Sequence, residues 1–454
     1  MIKYKLGEFL IRQKESTLVE DGKLYKRAKI RINHNGISVR DEVDGSSIRT
    51  KKQFLIHTGQ FLLSKIDARN GAFGIVPKEL EKGIITGNFW TFDVDQTKVL
   101  IDFLKAFTET KAFADICIRA SSGTTNRKYL DEKKFLNIEI DVPSVLEQKS
   151  VINHFKEKKN LLNNFKLKSA EQEDLVSKLR QSILQEAVQG KLTSEWRTSH
   201  PELVSGSNHA SQFLKRIQEE KAQLIADKKI KNEKALPPIT KEDIPYELPV
   251  GWIWCRMQDL CPNISSGSTP PKPFFRETGI PYLKVYNIRN QKINFSYREQ
   301  FVEEEYHKTK LKRSILNPGD VIMNIVGPPL GKVAIIPDDY PEWNCNQAIS
   351  FFKPLDKRVN IWIYTFLLAG TFLKHIELIG TAGQDNISVT KSKNIMIPFP
   401  PLEEQKAIVE KVNALMGLCD ALEQEVQQSQ AFSELLMQSV LREVFAGERK
   451  MVEV

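Results

Sequence analysis

Residues 59–77 read Gly-Gln-Phe-Leu-Leu-Ser-Lys-Ile-Asp-Ala-Arg-Asn-Gly-Ala-Phe-Gly-Ile-Val-Pro, and residues 319–337 read Gly-Asp-Val-Ile-Met-Asn-Ile-Val-Gly-Pro-Pro-Leu-Gly-Lys-Val-Ala-Ile-Ile-Pro. The two stretches align without a gap at a shift of 260, with Gly59/Gly319, Gly71/Gly331 and Pro77/Pro337 in register. Turn residues that bracket short apolar runs in both copies are the mark of one supersecondary unit used twice. The match continues. Ser122-Gly123-Thr124-Thr125-Asn126 aligns with Ala382-Gly383-Gln384-Asp385-Asn386 at the same shift, and Val142-Pro143 with Glu147-Gln148-Lys149 aligns with Phe399-Pro400 and Glu404-Gln405-Lys406 at a shift of 257. That register holds as far as Gly190/Gly447, so a whole domain-plus-helix unit is duplicated.

Each unit has two parts. In the first, Gln60 to Ile66, Phe73 to Pro77 and Phe89 to Val94 read as strands, with counterparts in Val321 to Val326, Val333 to Pro337 and Ala348 to Lys353. Amphipathic patterns over Val99 to Ile118 and Ile361 to Ile379 predict a helix in each copy. In the second part, Ile408, Val412, Leu415, Leu418 or Cys419, Leu422 and Val426 step by fours and threes, the heptad of a coiled-coil seam. Val151, Phe155, Leu162 and Phe165, then Leu175, Leu179 and Ile183, follow the same rhythm in the first copy. A helix from Val145 to Gln189 would be about 65 to 70 Å long. It cannot hide its apolar stripe alone, and the second copy offers one partner of equal length.

The expected fold class is therefore α+β: two duplicated mixed α/β domains separated by an antiparallel pair of long coiled-coil helices about a pseudo-two-fold axis, with the globular parts at opposite ends of a rod. The expected boundaries are 1–142 for the first domain, 143–190 for its long helix, and 191–250 for a charged helical and proline-rich linker. The second domain then takes 251–399, its long helix 400–447 and a tail 448–454. Within the linker, Gln212 to Lys234 reads as a charged helix.

At 454 residues the chain is too long for one core, and 41% hydrophobic with 27% charged residues places it among globular proteins. A net charge of +9 suits a polyanionic partner without requiring one. Five scattered cysteines with no CxxC pair argue against a disulfide framework or a zinc site and fit reduced thiols. No apolar run approaches the ~20 residues of a membrane span, and a cytoplasmic protein is expected.

Catalytic signatures are missing. Gly327-Pro-Pro-Leu-Gly331-Lys332 is one residue short of a phosphate-binding P-loop and lacks its Ser/Thr, so it reads as a tight turn between strands. There is no dinucleotide-binding glycine motif, no methyltransferase Asn/Asp-Pro-Pro-aromatic signature and no His-x-x-x-His pair. Asp338-Asp339 reads as a pair of solvated turn carboxylates.

Ile397-Pro-Phe-Pro-Pro-Leu-Glu-Glu-Gln-Lys406, Val142-Pro-Ser-Val-Leu-Glu-Gln-Lys149, Gly190-Lys-Leu-Thr-Ser-Glu-Trp-Arg197, Leu248-Pro-Val-Gly-Trp252, Ser266-Gly-Ser-Thr-Pro-Pro271 and Gly319-Asp-Val-Ile322, in their order and on a duplicated frame, closely resemble the specificity subunits of type I restriction-modification systems. The resemblance implies a non-catalytic subunit whose two target-recognition domains each read half of a bipartite DNA site. The helices would measure the gap and dock two methyltransferase subunits carrying S-adenosylmethionine. Restriction subunits using ATP and Mg could join them.

Such a reader needs Lys/Arg on phosphates and Asn, Gln, Arg or Ser at base edges. The candidates are Lys65, Arg69, Asn70, Thr124, Thr125, Asn126, Arg127 and Lys128 in the first domain. In the second they are Ser268, Thr269, Lys272, Lys284, Tyr286, Asn287, Arg289, Asn290, Lys332, Gln384, Asp385 and Asn386. The first domain lacks the Gly-Ser-Thr-Pro-Pro loop and a Pro-x-Gly-Trp start. The competing reading is a non-enzymatic coiled-coil scaffold or adhesion-type module binding protein or carbohydrate. A fused methyltransferase is disfavoured, since no room remains for a nucleotide-binding domain.

Overall fold

The computed structural model describes residues 1–124, 127–203, 209–232, 236–376 and 386–446. The chain divides into two compact units, Met1–Glu171 with Val426–Val454, and Gln172–Glu425. The first unit holds a four-stranded antiparallel sheet in the order Leu10–Gln13, Phe89–Val94, Phe61–Ser64, Phe73–Ile75. The second holds its twin, Asn263–Ser266, Ile349–Lys353, Val321–Asn324, Val333–Ile335. Even the register is duplicated. Phe92 pairs with Phe61 and Phe89 with Ser64; 260 residues on, Phe352 pairs with Val321 and Ile349 with Asn324. A strand pair, Ile2–Lys5 with Glu139–Val142 in one unit and Ile253–Arg256 with Met396–Phe399 in the other, leads into each long helix.

Further strands escape the sequence reading. The first unit adds a five-stranded sheet, Ser16–Leu18, Lys52–Ile56, Gly83–Ile85, Leu24–Ile30 and Ile37–Asp44. The second adds Phe275–Arg276, Phe301–Val302, Ile280–Leu283 and Asn344–Cys345. The first core is an aromatic cluster in which Phe113 meets Phe73 edge-on at 4.9 Å and Phe107 at 5.7 Å. In the second, Trp252 meets Trp362 edge-on at 5.7 Å, and Trp362 Nε1 donates to Pro398 O. All five cysteines are buried and free, and burial pushes the Cys117 thiol up to about 12. Among the described residues no helix is long and apolar enough to cross a membrane.

The long helices are Val145–Val188 and Leu402–Ala446. Within the second unit, Arg180 reaches Asp420 and Glu423 at 2.6 and 2.8 Å, and Lys411 Nζ donates to Leu192 O. Contacts that climb one segment descend the other, so residues 172–188 run antiparallel to 402–425. The seam is narrower than the stripe in the sequence. Val176, Ile183, Ile408, Val412 and Cys419 are buried there, while Leu175, Leu179, Leu418 and Leu422 stay between 45% and 63% exposed. Cys419 rather than Leu418 takes the seam position.

Three helices depart from expectation. The expected helix over 99–118 breaks into Ile101–Thr108 and Lys111–Arg119, because the Thr108 and Thr110 hydroxyls donate back to Lys105 and Phe107 carbonyls and Thr110 caps the second piece. The helix expected over 361–379 is Asn360–Ala369, stopped by Gly370 in the left-handed region; the rest of that range beyond 376 lies outside the described residues. The charged helix is Ala210–Ala226, ended by Lys228 at φ 59°, and it is no free linker: Phe213 and Ile217 lie in the second core.

Both long helices start on the same device. The buried Gln148 and Gln405 side chains donate to the carbonyls of Pro143 and Pro400, at 2.9 and 2.8 Å. The preceding glutamates differ. Glu147 is exposed and forms a capping box with Ser144, whose backbone and hydroxyl donors hold its carboxyl below the ordinary range. In the second copy a proline, Pro401, stands at the serine's place and has no N–H to offer. Glu404 turns inward, fully buried, and accepts from Thr193 Oγ1 at 2.7 Å, Trp252 Nε1 at 2.8 Å and the Arg197 guanidinium. Gly190, at φ 70°, stops the first helix where a Cβ would lie 2.7 Å from Pro249 and 3.0 Å from Trp252. Glu404→Ala strands Arg197 beside a buried void and should destabilise the second unit by about 3 kcal/mol or more, read by urea unfolding of the chain followed through tryptophan fluorescence.

Candidate nucleic-acid interface

The second unit gathers four of the sequence candidates around one open cleft of about 510 Å3, where Tyr286, Arg289, Asn290 and Lys332 share the walls with Ile288, Gln291, Tyr297 and Pro329. A two-residue hairpin makes one wall. Ile288 pairs with Ile293 and Arg289 with Lys292, leaving Asn290 and Gln291 at φ 48° and 58°, the paired positive-φ positions of a tight hairpin turn. Gln291 fastens the hairpin down, its Oε1 accepting from Val333 N at 2.9 Å and its carbonyl from the Tyr364 hydroxyl. The opposite wall is the glycine-proline turn, held by buried Asn324, which donates to Pro329 O and accepts from Lys332 N. As the sequence predicts, it is a turn between strands.

The cleft is lined by cationic, amide and aromatic groups. Arg289 lies over the Tyr297 ring at 4.1 Å, Arg298 lies over the same ring at 5.3 Å, and Tyr286 meets Tyr297 edge-on at 6.2 Å. The ring restrains the guanidinium of Arg289, an exposed residue, and a guanidinium so placed suits a bidentate contact. Burial pushes the Tyr286 phenol up from its ordinary value, so it is a neutral hydroxyl. Tyr297, Arg298 and Gln291 were missed by the sequence reading, since Asn290-Gln291 carries no glycine to announce a two-residue hairpin.

The remaining candidates scatter. Ser268 accepts from Arg313 at 3.0 Å, Thr269 bonds Gln347, and Lys272 is exposed at the start of a short 3-10 turn. Lys284 lies over Phe275 at 5.4 Å. Asn287 is a correction: it is fully buried, and its amide is spent on Lys284 N and the carbonyls of Asn294 and Tyr297, so it holds the loop together and faces no ligand. Asn386 bridges to Val326 beside the glycine turn, while Gln384 and Asp385 lie outside the described residues.

In the first unit Lys65 is half-buried, with its main chain bonded to Asn88 and Leu130. Arg69 and Asn70 sit in a 3-10 turn that Gly71 closes at φ 78°. Docked on that turn is a loop the sequence reading passed over, residues 31–36: Asn33 N donates to Asn70 O at 2.7 Å and His34 N to Gly71 O at 3.2 Å. Thr124, Arg127 and Lys128 belong to the strand pair Ser121–Thr124 and Arg127–Leu130; Thr125 and Asn126 lie outside the described residues.

Against known proteins, residues 249–429 match the family described as the type I restriction modification DNA specificity domain. The chain is 29% identical over 266 residues to the EcoEI type I restriction enzyme specificity subunit of Escherichia coli, covering 56% of this chain and 43% of that one. To the EcoAI specificity subunit it is 31% identical, covering 54% and 41%. It thus spans less than half the length of these two relatives. The MjaVIII specificity subunit of Methanocaldococcus jannaschii is 23% identical over 89% of this chain and 83% of its own. The fold is similar to that of the HsdS subunit from Thermoanaerobacter tengcongensis, at a TM-score of 0.53 with 16% identity, over 98% of this chain and 96% of that one. A chain solved in work on assembly and conformational transition of the type I R-M system gives 0.60, also at 16% identity, over 98% and 97%.

If the cleft takes up nucleic acid, Arg289→Ala and Lys332→Ala should each weaken binding of a labelled DNA duplex about tenfold and lower the slope of log affinity against log salt by about one, whereas Asn287→Ala should lower the melting temperature. Anisotropy titrations across a salt series and a thermal melt check the three variants.

Proposed function

We propose, from the premise that this chain belongs to the family of type I restriction-modification specificity subunits, that it reads a bipartite DNA sequence, one half by each globular domain, and catalyses nothing itself. The observation that carries this reading is the duplication to the level of strand register: the same sheet twice, each time leading into a long helix. Two similar but non-identical reading surfaces suit an asymmetric target in two parts. The cleft of Tyr286, Arg289, Asn290 and Lys332 supports the DNA assignment, since it offers guanidinium, ammonium and amide donors beside aromatic faces. We assign 1–142 and 251–399 as the recognition domains and the two long helices as the element that sets the distance between half-sites.

The helices also suit the docking of two methyltransferase subunits. Leu175, Leu179, Leu418 and Leu422 leave an apolar stripe uncovered in the second unit, and Leu146, Leu161, Leu435 and Leu436 leave more in the first. Those partners would bring S-adenosylmethionine and adenine methylation; restriction subunits would bring ATP and Mg.

Reconstituted with its cognate methyltransferase subunits, the chain should direct methylation to one bipartite motif, and Arg289→Ala should relax one half of it while leaving the other intact. Methylome sequencing reads both results; genomic adenines left unmethylated by the complete complex would sink the assignment. Raising salt in a binding assay separates it from a scaffold with an apolar interface, whose affinity would change little.

A further inference from the structure

The candidates in the first domain come from the stretches that repeat in sequence, and its sheet carries a second turn that does not resemble its counterpart in sequence yet occupies the same place. In the second unit, Asn290 and Gln291 hold successive positive φ angles of 48° and 58°, and the Gln291 side chain docks on the strand that begins at Val333, its Oε1 accepting from Val333 N. In the first, Asn33 and His34 hold 58° and 59° and dock on the turn before Phe73. Two adjacent non-glycine residues in the left-handed region are uncommon, because the Cβ crowds the carbonyl there. The strands beside which the two turns dock, Phe73–Ile75 and Val333–Ile335, differ by 260 and pair in identical register.

Gly71 explains why the contact is so close. A Cβ there would lie 2.8 Å from His34 N, so the glycine is the socket for the turn. The His34 ring packs edge-on against Phe73 at 5.2 Å, and Asn35 Nδ2 donates back to Ile32 O, so the loop is set by its own contacts. Arg31, Asn33, His34 and Asn35 are exposed, and Arg69 and Asn70 stand beside them. One cation, amides and an imidazole on a stiff turn match the chemistry of Arg289, Asn290 and Gln291.

We infer that the Asn33-His34 turn, flanked by Arg31 and Arg69, is the base-reading element of the first recognition domain, the structural counterpart of the Asn290-Gln291 turn in the second. The inference rests on the DNA-reading function proposed above. Asn33 presents a side-chain amide suited to the paired donor and acceptor of an adenine edge, and Arg31 and Arg69 supply contacts to guanine or phosphate.

The test uses the full chain assembled with its methyltransferase partners, in three forms: unaltered, Asn33→Gly and Asn33→Asp. Glycine accepts the positive φ without strain and removes only the amide; aspartate keeps the shape and replaces the amide donor with an acceptor. Both should melt within a few degrees of the unaltered complex. Methylome sequencing should show the unaltered complex marking one bipartite motif, and both variants accepting at least a tenfold wider set of bases at one position of a single half-site. That half must differ from the half relaxed by Arg289→Ala. Folded variants that keep the full motif would overturn this inference and leave the DNA-reading function standing, as would loosening in the Arg289 half. An unaltered complex that methylates nothing would overturn both. If both variants unfold, the turn is a structural brace, and the inference is lost.

Discussion

A single buried carboxylate joins what would otherwise be separate pieces of the second unit. Glu404 sits at the first turn of the second long helix, Thr193 and Arg197 just beyond the end of the first, and Trp252 at the start of the second domain's strands. Burying a carboxylate costs several kcal/mol unless every lone pair finds a donor, so the three partners are fixed together or not at all. That requirement sets where the first helix must stop, and Gly190 is the residue that can stop there without colliding with Pro249 and Trp252. The antiparallel course of residues 172–188 against 402–425 follows from the same junction, with the Arg180 pairs to Asp420 and Glu423 added on the exposed side.

The two copies show how one substitution redirects such a junction. Where Ser144 offers a backbone N–H and a hydroxyl, Glu147 closes an ordinary exposed capping box. Where Pro401 offers neither, the equivalent glutamate seeks donors inside. The glutamine that follows is indifferent to the exchange, because its partner is the carbonyl of the preceding proline in both copies.

Duplication, the strands of the repeated sheet, the two long helices and their antiparallel run within the second unit were legible because each rests on local periodicity or on residues repeated at a constant shift. The pieces that could not be read depend on which partner an individual side chain takes, sometimes in a distant segment and sometimes within its own turn. Leu418 and Cys419 are both apolar neighbours on the helix, and only the packing partner decides that the cysteine goes in. The break at Thr110 depends on a hydroxyl choosing a main-chain carbonyl. Of the site, Tyr286, Arg289, Asn290 and Lys332 were found by residue type and do share a cleft, but Asn287, indistinguishable from them in sequence, is consumed by its own loop. Loop 31–36 was overlooked because it has no sequence match in the other copy, only the same backbone.

The paired positive-φ turns also restrict chemical vocabulary. Positions in the left-handed region admit glycine, asparagine and aspartate cheaply and penalise branched or bulky side chains. Asparagine is matched to adenine and aspartate to the amino group of cytosine, while glycine is silent. Under the function proposed here, the positive φ at Asn33 and Asn290 would tilt these two positions toward a small alphabet of readable letters, before any selection for a particular target acts.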